Sequence, residues 1–281
     1  MKFTILGSTG FIGRHLVRHL RDQGFDVATP PRDASDLHGR SLGHVIYAIG
    51  VVGSPTQRPH TMIEAHVNQL QRLLKGADFD SWLYLSSTRV YGGLATESIA
   101  FEETELPVFK RPGVIFELSK LMGEQVCLEL NRDTVRIARL SNVYGADQSP
   151  DTFLGSIMTQ LVAQGEVAFL DSPESSKDYI SVKDAVKMLQ YIAVQGRETI
   201  YNVASGKNVS HQDIADRLRA CGYAVKFPYN SQVRIFPKID TARVSGEFAS
   251  ASHSVLDDMP QLIDAARKIY TRRSPKDLYA S

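Results

Sequence analysis

Residues 2 to 20 set down a pattern that leaves few folds open. Lys2 to Leu6 is a short apolar run that ends in Gly7-Ser-Thr-Gly10-Phe-Ile-Gly13, after which Leu16, Val17 and Leu20 recur at helical spacing. The reading is a strand, a glycine turn and a helix. Glycines at such a turn let the backbone bend sharply and come close to a pyrophosphate, whose charge then sits at the positive end of the helix. Strand-like runs at 25–29, 45–50, 82–85 and 134–140 alternate with helical patterns. That alternation predicts a doubly wound parallel α/β sheet.

Composition excludes several partners. The 281 residues suffice for one large domain with a smaller appendage, and the formal net charge is +1 with 22% charged residues. Nothing here favours nucleic acid or an anionic membrane surface, so a phosphate-bearing ligand has to be met locally. The chain enters its first strand at once, without a signal-peptide pattern, and no apolar run reaches membrane-spanning length. A soluble cytoplasmic protein is expected. Cys127 and Cys221 stand far apart in helical patterns and are read as reduced thiols. His15 and His19 are four residues apart, but Arg14, Arg18 and Arg21 surround them, so they are read as a solvated helix face with no metal.

The middle of the chain is more specific. The strand at 82–85 delivers Ser86-Ser87-Thr88-Arg89-Val90-Tyr91-Gly92; a helix over roughly Val114 to Asn131 carries Phe116, Ser119, Lys120 and Glu124; and the strand from Thr134 ends in Arg139-Leu-Ser-Asn142-Val-Tyr-Gly145. On a helix, Phe116 and Lys120 share a face. These stretches resemble the SSxxVYG, YxxSKxxxE and RxxNVYG segments of the extended short-chain dehydrogenase/reductases, the nucleotide-sugar epimerase, reductase and dehydratase group. The GxxGxxG spacing is that group's variant of the dinucleotide turn. Lys177 to Ala185 is similar to its RDFIxVxDxA, with Lys177 in the usual Arg place. The likeness covers most of the chain to about Ala185 and thins afterwards.

The resemblance implies a Rossmann domain over residues 1–165 and a smaller substrate-binding region over 166–281, partly interleaved with it. It implies cofactor contacts at Gly7, Thr9, Gly10, Phe11, Ile12, Gly13, Ala48 and Lys120. After the second strand the sequence runs Pro30-Pro31-Arg32-Asp33. NAD-selective sites carry an acid there for the ribose 2′-hydroxyl, and an Arg suits a 2′-phosphate. Arg32 therefore tilts the expectation toward NADP, while Asp33 keeps NAD open. Pro55 to Pro59 is expected to form a loop at the cleft, and Asn68 matches an Asn often found in the group. The implied substrate contacts are Ser87, Thr88, Asn142, Lys177, Arg234 and Arg243, and the implied assembly is a homodimer paired through the helix of Lys120.

The catalytic set implied by the resemblance is Ser87, Lys120 and the position of Phe116, where the group has Tyr. Its Tyr hydroxyl moves the proton while hydride passes to or from the nicotinamide; Lys lowers the Tyr pKa and holds the ribose, and Ser donates to the reacting oxygen. Phe116 has no hydroxyl. A positioned acid or base is worth about 10² to 10⁴ in rate, so binding can survive while turnover falls. Three readings stay open: a deliberate exchange that traps a complex, an enzyme that moves the proton through Thr88, Tyr91 or a water chain, and a non-catalytic dinucleotide-binding protein. Thr88 and Arg89 stand where dehydratases carry Asp and Glu, which disfavours a 4,6-dehydratase, and no Cys marks a two-base 3,5-epimerase. What remains is a 4-epimerase or ketoreductase acting on a nucleotide-linked sugar.

Overall fold

The computed structural model describes residues 1–31, 37, 39–51, 59–108, 110–248 and 250–272. Arg32, Asp33 and Pro55 lie outside the described residues. In chain order the first half runs β1 (Lys2–Leu6), α1 (Phe11–Asp22), β2 (Asp26–Ala28), β3 (His44–Tyr47), α2 (Pro59–Ile63), a π-helical turn (Glu64–Asn68), α3 (Gln69–Leu74), β4 (Ser81–Ser87), a 3-10 turn (Thr88–Tyr91), β5 (Ile99–Ala100), α4 (Ile115–Leu128) and β6 (Val135–Leu140). The second half runs β7 (Asn142–Tyr144), α5 (Phe153–Gln164), β8 (Glu166–Ala168), β9 (Ser176–Ser181), α6 (Val182–Gln195), β10 (Ile200–Val203), β11 (Asn208–Ser210), α7 (His211–Ala220), β12 (Ala224–Lys226), β13 (Lys238–Ile239), α8 (Ala242–Glu247) and α9 (Val255–Arg272).

The main sheet has six strands in the order β10-β6-β4-β3-β1-β2. Every pairing is parallel. Both faces are therefore covered, which explains why β4 reads as an apolar run and why β6 is buried along its whole length although it carries Arg136 and Arg139. On one face, Leu16 and Leu20 of α1 pack with Val186, Leu189 and Ile192 of α6. On the other, Tyr47, Trp82 and Tyr84 pack with Leu70, Leu73 and Cys127. At about 25 cal/mol for each Å² of apolar surface removed from water, these two layers supply the main drive to fold. The chain order reverses at β1, so the C-terminal ends of β1, β3 and β4 open onto the crevice where α/β sheets of this kind bind ligands.

A second cluster of small sheets stands at that end: β11-β9-β7, β12-β8 and β13-β5. Its core is Tyr144, Leu154, Ile157 and Leu161 against Met259 and Ile263. The stretch 92–113 contains the two-residue β5, which pairs with β13 and ties it to the C-terminal part. The last helix begins at Val255 and continues through Pro260. Proline at the sixth position cannot donate to the Leu256 carbonyl, which accepts Arg217 Nε at 2.8 Å, and Asp257 and Asp258 favour the positive end of the helix. His15 and His19 do not form a solvated face: His15 Nε2 lies 2.7 Å from Asp147 and His19 Nε2 lies 2.7 Å from Gln190, tying α1 to its neighbours.

Candidate active site

Gly7 ends β1 at a φ of +87°, where a side chain is strained, and a Cβ there would fall 2.8 Å from Ala48. A Cβ on Gly13 would lie 2.1 Å from the Gly7 carbonyl oxygen. The turn thus folds onto itself through bare backbone, with Gly10 donating to Gly7 at 3.0 Å. Gly10 is the N-cap of α1 and offers no side chain to its amides, and the first turn, which holds Phe11 and Ile12, carries no acid. Thr9 is exposed beside it, and its carbonyl takes Arg14 Nη1 at 2.8 Å. Uncapped amides at the positive end of a helix, reachable past glycines, fit a dinucleotide pyrophosphate.

The strand β4 carries the next group. Ser87 Oγ caps the 3-10 turn by accepting the Arg89 amide at 3.2 Å, so its own hydrogen remains available to donate. Two residues upstream, the Leu85 carbonyl accepts Lys120 Nζ at 2.8 Å. Lys120 is buried, 5.1 Å above the Tyr84 ring, and burial pulls its pKa down to about 7. Phe116 lies one turn earlier on α4, with the Arg89 guanidinium 4.3 Å over its ring and His66 edge-on at 5.6 Å. The expected helix face exists, and it brings Phe116 and Lys120 together behind Ser87.

His66 gave no signal in the sequence, where Asn68 drew attention instead. Asn68 is exposed and donates to Glu64 at 2.9 Å. The π-helical turn rotates Ala65, His66 and Val67 inward together. The Ser119 hydroxyl donates to the Phe116 carbonyl at 3.0 Å, so its oxygen receives His66 Nδ1–H at 2.8 Å. That assigns the tautomer: Nε2 carries a lone pair, and it has no partner among the described residues. Burial, reinforced by Lys120, holds the imidazole neutral, well below its usual range.

A cavity of about 560 Å³ opens in front of Ser87 and Thr88, between the main sheet and the second cluster. Asn142, Lys177 and Arg234 reach its walls from β7, β9 and the segment before β13. Asn142 donates to the Asp178 carbonyl at 2.8 Å, and Arg234 pairs with Asp171 at 3.3 Å. Lys177 Nζ stands 4.3 Å over Phe153 and 5.7 Å over Tyr179; burial lowers its pKa to about 8, with Asp171 opposing. Two further wall residues had no sequence signal. His211 stacks on Phe153 at 4.4 Å with Nδ1 unpartnered among the described residues, and Glu117 lies between Arg89 and Arg111. Arg243 stands apart from the cavity, bound to Glu103 and, at 2.8 Å, to the Ile200 carbonyl.

Tyr91 is not a spare proton source. It is fully buried, donates to Asn202 at 2.7 Å and accepts Arg139 Nη1 at 2.8 Å. Arg139 in turn is held by the buried Glu124 at 2.7 Å, whose other oxygen takes the Ser86 hydroxyl. This network fixes the end of β4 from behind.

A model described as the NAD dependent epimerase/dehydratase family matches residues 3–204. The chain is 25% identical over 255 residues to a dTDP-glucose 4,6-dehydratase of Streptomyces griseus, covering 76% of each. It is 25% identical over 243 residues to a GDP-6-deoxy-D-mannose reductase of Pseudomonas aeruginosa, covering 76% of this chain and 78% of that one. The solved structure of RMD from Pseudomonas aeruginosa complexed with NADPH superposes with a TM-score of 0.82 at 20% identity, over 95% of this chain and 99% of that one.

Proposed function

The chain belongs to the NAD dependent epimerase/dehydratase family, and on that footing we propose that it is built to bind NAD(P) and a nucleotide-linked sugar, with the site of a 4-epimerase or ketoreductase. One observation carries the reading. Ser87, with a free hydroxyl hydrogen, lines a cavity walled by Lys177 and Arg234, and Lys120 is bound behind it to the Leu85 carbonyl, two residues back on the same strand. The relatives named above act on sugars linked to dTDP and GDP.

A dinucleotide, when bound, would supply hydride-transfer chemistry at its nicotinamide. Gly7, Gly10 and Gly13 would cradle its pyrophosphate on the amides of Thr9, Phe11 and Ile12, with Ala48 flanking the turn, and Lys120 would hold the ribose. Either NAD or NADP fits this part of the reading. Ser87 donates to the reacting sugar oxygen, with Thr88 and Asn142 beside it. Lys177 and Arg234 meet the diphosphate, where two cations offset its charge. Proton transfer is the weak step, because Phe116 presents a bare ring edge and Tyr91 is committed elsewhere. Turnover of this chain is therefore low. A second reading, a non-catalytic dinucleotide-binding protein, draws support from the close packing of Phe116 between Arg89 and His66.

Met122 and Leu128 on the outer face of α4 are exposed, which favours pairing of two copies through that helix. The deciding experiment incubates the chain and its Phe116→Tyr variant with UDP-, dTDP- and GDP-linked hexoses and each dinucleotide, separating products by chromatography. Turnover by the Tyr variant alone supports the enzyme reading. Full activity of the chain as it stands would remove Phe116 from the account, and binding without reaction in either form favours the second reading.

A further inference from the structure

The carboxylate next to Phe116 is held in an unusual way. Successive helical residues point about 100° apart, so while Phe116 turns toward His66, Glu117 turns to the cavity. It is 5% exposed and lines the wall with Ser87, Arg89 and Arg111. A guanidinium ordinarily grips a carboxylate with its fork split between both oxygens. Here Arg89 Nε and Nη2 both converge on Glu117 Oε1, at 3.2 and 2.8 Å, and Arg111 Nη2 reaches the same oxygen at 3.3 Å. Oε2 is buried and has no hydrogen-bond partner among the described residues. An unsatisfied charged acceptor at a ligand cavity is costly, and any bound donor that reaches it recovers that cost.

We propose that Glu117 is a specificity-determining residue whose free carboxylate oxygen accepts a hydrogen bond from a hydroxyl of the bound sugar. The proposal rests on the nucleotide-sugar reading above and adds a contact to it. Two guanidiniums against one carboxylate leave the group with one net positive charge, which disfavours an ammonium donor. An anion has no proton to give. A neutral O–H donor is what the arrangement accepts, and a hexose carries several. The same two guanidiniums hold its other oxygen, so the direction of the free one is set before the sugar arrives.

The test is calorimetric titration of the full chain, with NAD present, using UDP-glucose, dTDP-glucose and GDP-mannose, each beside its own nucleoside diphosphate. Glu117→Gln should weaken the best-bound sugar nucleotide about tenfold or more while its nucleoside diphosphate changes by less than about twofold. Glu117→Asp, which keeps the charge between the two guanidiniums, should show the same selective loss and serves if the Gln variant does not fold. On the unaltered chain, one singly deoxyfluorinated analogue of that sugar should lose a similar factor, and that analogue should be insensitive to Glu117→Gln. Equal losses for sugar nucleotide and diphosphate, or no loss at all, would overturn the proposal while leaving the nucleotide-sugar reading standing. Failure of all three sugar nucleotides to bind the unaltered chain would overturn both.

Discussion

The Arg89 guanidinium lies 4.3 Å from the centre of the Phe116 ring, held there by its fork on Glu117. A cation over that ring is a packing contact for phenylalanine and has a further consequence for tyrosine, because it favours a phenolate. In the Phe116→Tyr variant the new phenol should titrate below its usual range of about 10, and adding Arg89→Gln should raise it by about one unit or more. Ultraviolet titration of the phenol reads both values, and an unchanged midpoint on removing Arg89 refutes the electrostatic role.

Lys120 predicts a pH dependence of stability. Its folded pKa of about 7 lies below the unfolded value of about 10.4, so between these the unfolded chain binds the extra proton. The burial cost of the ammonium is therefore present in full below about pH 7 and is relieved as pH rises toward 10, at about 1.4 kcal/mol per unit. Urea unfolding of Lys120→Met should show a flatter rise over that window than the unaltered chain. Parallel slopes would mean that Lys120 is not desolvated.

Lys177 gives the opposite sign for a ligand. The ammonium is lost as pH rises through about 8, so affinity for a nucleoside diphosphate should fall between about pH 7 and pH 9. Lys177→Met should bind about tenfold or more weakly at the lower pH and show little further decline. Titration calorimetry at the two pH values separates this from a general loss of fold.

Tyr91→Phe tests the buried network. It should leave turnover of the Phe116→Tyr enzyme nearly unchanged and cost about 1–2 kcal/mol of stability, because Arg139 and Asn202 each lose a partner. A drop of about 10² in rate with unchanged stability would reinstate Tyr91 as a proton donor.

What the sequence made legible were features whose spacing is local. The glycine turn, the Phe116–Lys120 face and the strand ends at Ser87 and Asn142 each follow from helix or strand periodicity within one segment. His66 was hidden because a π-helical turn shifts the register that a 3.6-residue period assumes, and Asn68 took the attention. His211 and Glu117 reach the cavity from α7 and from beside a residue already singled out, and their importance lies in partners far along the chain. Arg243 looked free for a ligand, yet Glu103, 140 residues away, holds it. Such pairings exist only after the second cluster has packed on the sheet.

One edge strand of the main sheet, β10, comes from Ile200–Val203, later in the chain than Asn142 and Lys177. During synthesis, a chain that has not yet released Val203 from the ribosome presents β6 as a bare parallel edge, with Ile137 and Ala138 awaiting their partners. Such edges are prone to pair with other chains, and long-range parallel pairing is slow. The order of translation therefore places the pocket-lining strands β7 and β9 ahead of the strand that covers this edge, while His211 and Arg234 follow it, so the two sides of the cavity are made before and after the sheet is closed there.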